Sequence, residues 1–101
     1  MSRYRLSRQA DADLDSIAEY IARENPDAAL HVLEGLHDTL LLLAKNPDLG
    51  RLRDDLRPNL RLFPAAQNYV ICYYPLKDGI EIATIIHGRR DWAGLFERRQ
   101  R

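Results

Sequence analysis

The feature that most constrains the fold is a change in the spacing of apolar residues halfway along the chain. Up to residue 45 they recur every three or four positions, which predicts amphipathic helices. Beyond residue 59 there are three short runs of branched and aromatic residues, each bounded by proline, glycine or asparagine, which predicts strands. The 101 residues are enough for one domain with a single core. We therefore expect an α+β domain spanning residues 1–101, with a helical hairpin packed on one face of a small, mainly antiparallel sheet.

Proline and polar caps set the predicted helix ends. Ser7 is a plausible N-cap for a helix over residues 8–24. Asn25-Pro26 ends this helix and begins a second one, because proline disfavours helix in the residue before it and suits a first turn. The second helix runs to about residue 45 and stops at Asn46-Pro47.

The remaining elements follow in the order strand, helix, helix and three strands. The predicted strands are Tyr4–Leu6, Leu60–Phe63, Tyr69–Tyr74 and Ile80–His87. Residues 48–59 are expected to form a charged loop, and Trp92–Arg98 a short C-terminal helix or tail. Lys77-Asp78-Gly79 predicts a hairpin turn, since Asp-Gly supplies positive backbone angles.

Both faces of the predicted sheet are apolar. One face would carry Tyr69, Ile71 and Tyr73, and the other Val70 and Cys72. In the last strand Ile80, Ile82 and Ile86 would oppose Ala83 and Ile85. One helical hairpin covers one face, so the other must be closed by the C-terminal segment or by another molecule.

The second helix carries leucines outside its main apolar stripe. Leu30, Leu41 and Leu42 indicate either a second contact surface or tight burial between the first helix and the sheet.

Composition excludes several classes of protein. A single cysteine, Cys72, rules out an internal disulfide and a thiolate metal cluster built from one chain. The longest apolar run is too short to cross a bilayer, and the polar N-terminus shows no secretory signal, so a cytoplasmic location is expected. Residues 1–50 carry five basic and nine acidic side chains, whereas residues 51–101 carry ten and six. The second half could therefore face an acidic partner, although the net charge of zero disfavours indiscriminate binding of nucleic acid.

No metal or cofactor is expected. His31 and His37 are six residues apart, which is not the spacing that brings two imidazoles to one metal.

A set of basic residues could support other chemistry. Its members are Arg57, Arg61, Arg89 and Arg90, together with His87. Gathered at one rim of the sheet, they could hold a phosphate and transfer a proton, as in a metal-free ribonuclease. Alternatively, Arg57 and Arg61 form ordinary ion pairs with Asp54, Asp55 or Asp91.

The end of the chain is rich in aromatic residues and arginine. Trp92, Leu95 and Phe96 share one side of a short helix and follow Arg89 and Arg90, a composition typical of a docking surface. Alternatively, Trp92 and Phe96 fold back over the open sheet face.

Three segments in order carry a resemblance to a known family. They are YRLSRQADADLDSIAEYIARENPDAA, NPDLGRLRDDLRPNLRLF and NYVICYYPLKDGIEIATIIHGRRDW. Over residues 4–92 the chain resembles the ParE toxins of the RelE/ParE superfamily of bacterial type II toxin–antitoxin systems. The resemblance implies a RelE-like fold.

The resemblance implies two alternative activities. RelE-type members cut messenger RNA on the ribosome, whereas ParE-type members are associated with poisoning DNA gyrase and have no assigned catalytic residues. Arg61 and Arg90 match two RelE-type arginines, but Phe96 stands where RelE-type toxins have a tyrosine. The connecting loop offers Arg51, Arg53, Asp54 and Asp55 in place of a lysine pair.

These departures favour a toxin that inhibits DNA gyrase without catalysis and is neutralised by a ParD-like antitoxin. Such a toxin would contact DNA only indirectly, through the antitoxin. The expected target-binding residues are Arg89, Arg90, Trp92, Leu95 and Phe96. The expected antitoxin-binding residues are Leu30, Leu41, Tyr69 and Tyr73. The alternative is a ribosome-dependent ribonuclease that uses Arg61, His87 and Arg90. A third possibility is a degenerate member that retains only antitoxin binding and operon regulation.

Overall fold

The structure is a computed structural model that describes residues 3–88, apart from the side chain of Gln67. It contains two helices, five strands and one 3-10 turn. In chain order these are β1 (Arg3–Leu6), α1 (Arg8–Ala22), α2 (Pro26–Lys45), β2 (Arg51–Leu52), β3 (Arg61–Pro64), the turn Ala66–Asn68, β4 (Tyr69–Leu76) and β5 (Gly79–His87). The strands form one sheet in the order β1-β5-β4-β3-β2. The β1–β5 pair is parallel and the other pairs are antiparallel. The predicted α+β architecture is confirmed.

The predicted N-cap of α1 is confirmed, and Asn25 caps α2 in the same way. Ser7 Oγ accepts a hydrogen bond from the Ala10 amide at 3.0 Å and donates one to the Ala83 carbonyl at 2.7 Å. Asn25 Oδ1 accepts from the Ala28 amide at 3.1 Å, and Pro26 opens α2. Each cap satisfies an amide that the first helical turn leaves without a partner.

The connecting segment is more than a charged loop. Within it, Arg51 and Leu52 form the two-residue edge strand β2, which pairs with Leu62 and Arg61 of β3. A strand this short has no detectable alternation, so periodicity could not reveal it.

The main core lies between the helices and one face of the sheet. Its buried members from the helices are Ala10, Ile17, Val32, Leu36, Leu40, Leu43 and Ala44. Those from the sheet are Ile71, Tyr73, Ile80, Ile82 and Ile85.

The second sheet face is also buried, and part of its cover comes from the segment before β3, which was not among the expected covers. Its members are Leu60, Leu62, Val70, Cys72 and Ile86, all with side chains at most 9% exposed. Leu60 lies directly before β3, and Leu56 of the connecting segment packs against the cluster. The connecting segment is predominantly polar in sequence, yet Leu56 contributes to this apolar cluster.

A β-bulge changes which isoleucines of β5 face the helices. Cys72 pairs with Thr84 but Tyr73 pairs with Ile82, which leaves Ala83 as an extra residue. An extra residue reverses the alternation of side chains beyond it. Ile85 therefore faces the helices and Ile86 the second face, the reverse of the prediction.

The β4–β5 hairpin turns between Leu76 and Gly79. Of the two residues expected to have a positive φ, only Gly79 does, at 157°. A Cβ atom at Gly79 would lie 1.9 Å from the Arg3 carbonyl oxygen, so the close approach of β1 also requires glycine.

Candidate functional site

Arg61 is engaged by the segment that follows α2. Its Nη1 donates to the carbonyls of Asp48 at 3.1 Å and Gly50 at 2.7 Å, and its Nη2 lies 3.5 Å from Asp48 Oδ1. Its side chain is only 21% exposed. These contacts use the guanidinium to hold a loop, which leaves it poorly placed to clamp a phosphate.

Tyr73 also forms hydrogen bonds with the loop after α2. Its side chain is fully buried, which raises the pKa of the hydroxyl. The hydroxyl donates to the Pro47 carbonyl at 2.7 Å and accepts from the Gly50 amide at 2.8 Å. The prediction that Tyr73 contacts an antitoxin is therefore wrong: a buried tyrosine needs polar partners, and this loop supplies them.

The ribonuclease arrangement of Arg61 and His87 does not form. Arg61 pairs with Tyr73, whereas His87 pairs with Tyr69 at the other end of β4. Four residues along β4 and two strand spacings separate them by roughly 16 Å between backbones. The third expected member, Arg90, lies outside the described residues.

Other arginines of the connecting segment are also engaged. Arg57 Nη1 donates to the Leu56 carbonyl at 2.9 Å. Arg53 binds Asp55 through two hydrogen bonds of 2.9 and 2.8 Å, which lower the pKa of the Asp55 carboxyl. Ordinary ion pairing is thus the better description, although the pairs are Arg61–Asp48 and Arg53–Asp55; Asp91 lies outside the described residues.

His87 lies in a groove between α1 and the adjoining ends of β4 and β5. The groove has a volume of about 760 Å³. The side chains of Tyr69 and His87 meet edge to face, with ring centroids 5.6 Å apart. Burial, followed by the proximity of Tyr20, raises the pKa of Tyr69. Tyr20 itself is 68% exposed. The groove is therefore lined by apolar, aromatic and polar side chains together, which suits an amphipathic segment of a partner.

No functional residue was assigned to α1 from the sequence, although α1 forms one wall of this groove. It includes Gln9, Asp13, Ser16 and Tyr20. Their spacing of four, three and four residues was the available signal, since it places them along one side of a helix.

Asp13 fixes α1 to the edge of β5 beyond the end of β1. Its Oδ2 accepts from the Ile85 amide at 3.0 Å and from the Thr84 hydroxyl, while Gln9 Nε2 donates to Oδ1 at 2.8 Å. Asp13 Oδ2 therefore takes the place of a strand partner for β5 beyond the last β1–β5 pair, and it connects the α1 wall of the groove to the β5 wall.

The outer surface of α2 carries exposed leucines. Leu30 is 61%, Leu41 37% and Leu42 45% exposed. The prediction of a second contact surface fits these exposures, and tight burial beneath α1 does not.

The predicted target-binding cluster cannot be placed. Arg89, Arg90, Trp92, Leu95 and Phe96 lie outside the described residues, as does the segment expected to form a C-terminal helix or tail.

Two general features bear on function. Among residues 3–88, no group of three or more histidine, cysteine, aspartate or glutamate side chains could hold a metal ion. Neither helix of this part of the chain is long and apolar enough to cross a membrane.

Comparison with known proteins agrees with the fold. In Sinorhizobium fredii, a protein named "Putative toxin Y4kP" is 32% identical over 90 residues, which cover 89% of this chain and 92% of that protein. "Toxin ParE1" of Caulobacter vibrioides is 32% identical over 88 residues, covering 86% and 90%. A solved structure titled "Chromosomal ParDE TA system from P. aeruginosa" superposes with a TM-score of 0.71 at 22% identity, covering 86% of this chain and 96% of that one.

The structural match supports the fold alone, whereas the sequence matches identify the family. The profile of the family described as "ParE toxin of type II toxin-antitoxin system, parDE" matches residues 4–92. Apart from Arg3 at the start of β1, this range includes both helices and all five strands of the described residues. The chain therefore belongs to the ParE toxin family of type II toxin–antitoxin systems.

Proposed function

We propose that this ParE-type toxin inhibits DNA gyrase by binding it, and that a cognate ParD-like antitoxin neutralises the toxin. The observation that carries the choice of mechanism is the separation of Arg61 from His87 at opposite ends of β4. A ribonuclease needs its phosphate clamp and its proton-transfer group within reach of one scissile bond. Roughly 16 Å of sheet between these two positions is too far for that.

The contacts of Arg61 support the same choice. Two backbone carbonyls and one carboxylate surround its guanidinium. Binding an RNA phosphate would require breaking these contacts and releasing the loop that Tyr73 also holds. Arg61 therefore fits a structural role.

We place the antitoxin on two surfaces of the described chain. The first is the outer side of α2, where Leu30 and Leu41 are exposed. The second is the groove lined in part by Tyr69 and Tyr20. An amphipathic partner segment could bury apolar groups on both, and contact with DNA would come only through the antitoxin.

The gyrase-binding role is assigned to the C-terminal cluster of Arg89, Arg90, Trp92, Leu95 and Phe96. Its support is composition, since tryptophan and arginine dominate interface hot spots. Phe96 also lacks the hydroxyl that proton transfer at that position would require.

The test is expression of the toxin without antitoxin, with DNA supercoiling and protein synthesis followed in the same culture. A gyrase inhibitor should induce the DNA-damage response while translation continues. Purified toxin should inhibit supercoiling by purified gyrase, and His87→Gln should retain this inhibition.

Cleavage of ribosome-bound message by the wild-type toxin, lost in His87→Gln, would replace the proposal with the ribonuclease alternative. Normal growth with full antitoxin affinity would instead identify a degenerate toxin.

A further inference from the structure

Four exposed residues of α2 form a continuous stripe. Leu30, Glu34, His37 and Leu41 follow one another at intervals of four, three and four residues. This spacing places them on one side of a helix over roughly 17 Å. All four are exposed, whereas the core-facing residues of α2 are a different set. We call these four residues the α2 stripe.

The α2 stripe is complementary to itself when reversed. Leu30 and Leu41 lie equally far from a point between Gly35 and Leu36, and so do Glu34 and His37. If a two-fold axis passes through this point, two antiparallel copies of α2 bring Leu30 against Leu41 of the second copy. The same operation brings Glu34 against His37 of the second copy, because a two-fold interface repeats each contact.

Contacts with Tyr4 orient the imidazole ring of His37. The Tyr4 hydroxyl lies 2.6 Å from His37 Nδ1, and the two rings pack edge to face with centroids 5.7 Å apart. When the hydroxyl donates to Nδ1, the imidazole proton resides on Nε2. An oriented N–H group is thus available for a carboxylate such as that of Glu34.

Charges at the helix ends favour the same orientation. Asp27 and Lys45 are exposed on one flank of the stripe, near opposite ends of α2. Antiparallel copies bring each aspartate close to the lysine of the other copy. A parallel pair would instead place Glu34 against Glu34, which like-charge repulsion disfavours.

We propose that two copies of the free toxin associate through antiparallel pairing of their α2 stripes. One helix pair gives a small interface, so we expect a weak dimer that depends on concentration. Leu30 and Leu41 also belong to the surface proposed for the antitoxin. The same stripe would then bind a second copy in the free toxin and the antitoxin in the complex.

Sedimentation equilibrium of the full-length free chain tests the proposal at concentrations from about 1 μM to about 1 mM, the range of weak association. We expect a monomer–dimer equilibrium. Leu41→Gln should weaken the dimer by about tenfold or more, because the lost contact occurs twice. Leu42→Gln is the matched control, since Leu42 is 45% exposed but lies off the stripe, and it should leave dimerisation unchanged.

Charge exchange tests the register. Glu34→Lys and His37→Glu should each weaken the dimer, and the double variant should recover most of the loss because lysine again faces glutamate. Circular dichroism and thermal melting establish that each variant is folded. A strictly monomeric toxin, equal effects of Leu41→Gln and Leu42→Gln, or no recovery in the double variant would each overturn the proposal.

Discussion

Replacing Tyr73 with phenylalanine removes one oxygen atom from the core and changes almost nothing in shape. That oxygen donates to the Pro47 carbonyl and accepts from the Gly50 amide. Because Gly50 is buried, its amide would lose a partner without gaining water. A buried polar group without a partner costs about 1–3 kcal/mol, so we expect Tyr73→Phe to lower the free energy of unfolding by about 2 kcal/mol. The melting temperature should fall by about 10 °C for a domain of this size.

Urea denaturation of the free toxin, followed by circular dichroism, measures this change. The denaturation midpoint should fall while the m value stays constant, because the surface exposed on unfolding is the same. Tyr20→Phe is the matched control: Tyr20 is 68% exposed, and we expect a change within about 0.5 kcal/mol.

A double variant separates this account from a general loss of packing. Tyr73 holds the amide of Gly50 and Arg61 holds its carbonyl. Once either contact is lost, the loop is freer to move and the other contact contributes less. Tyr73→Phe combined with Arg61→Gln should therefore destabilise by less than the sum of the single effects. A Tyr73→Phe variant as stable as wild type, or strictly additive effects, would refute the reasoning.

Three further predictions concern other parts of the chain. Asp13→Asn should destabilise the fold by about 1–3 kcal/mol in thermal melts. The amide oxygen would accept from Thr84 and Ile85 without the negative charge that strengthens both hydrogen bonds, and the amide nitrogen would face Gln9 Nε2, which is also a donor. Gly79→Ala should be more disruptive than an ordinary surface substitution, because its methyl group would meet the Arg3 carbonyl; reduced soluble yield and melting temperature would show this. Deletion of residues 92–101 should abolish gyrase inhibition but preserve antitoxin affinity and cooperative melting. A truncated chain without a cooperative transition would assign the segment to the core instead.

The helices were predictable because residues close in sequence determine where each helix begins and ends. Ser7, Asn25 and Pro26 act through groups within one helical turn, so their roles are legible in the sequence. The apolar spacing of α1 and α2 likewise reports which side each helix buries. The same reasoning recognised Leu30 and Leu41 as lying outside the buried side.

Features that depend on distant contacts were not predictable. The bulge at Ala83 adds one residue to β5, and no local pattern distinguishes it from continuous strand. The cover supplied by Leu56 depends on the path of a segment that is predominantly polar in sequence. Tyr73 was expected to contact an antitoxin as part of an apolar sheet face, but the partners of its hydroxyl come from a loop more than twenty residues away in sequence.

The separation of Arg61 from His87 follows from the order and direction of the strands. In a three-stranded meander the first and third strands run in the same direction, since each is antiparallel to the second. Arg61 begins β3 and His87 ends β5, so the two residues must lie at opposite ends of the sheet. Only an extra crossover could bring them together, and three consecutive strands with short connections leave no room for one. Each end of the sheet has therefore taken a separate role: around Arg61 it anchors the loop after α2, and around His87 it opens into the groove beside α1.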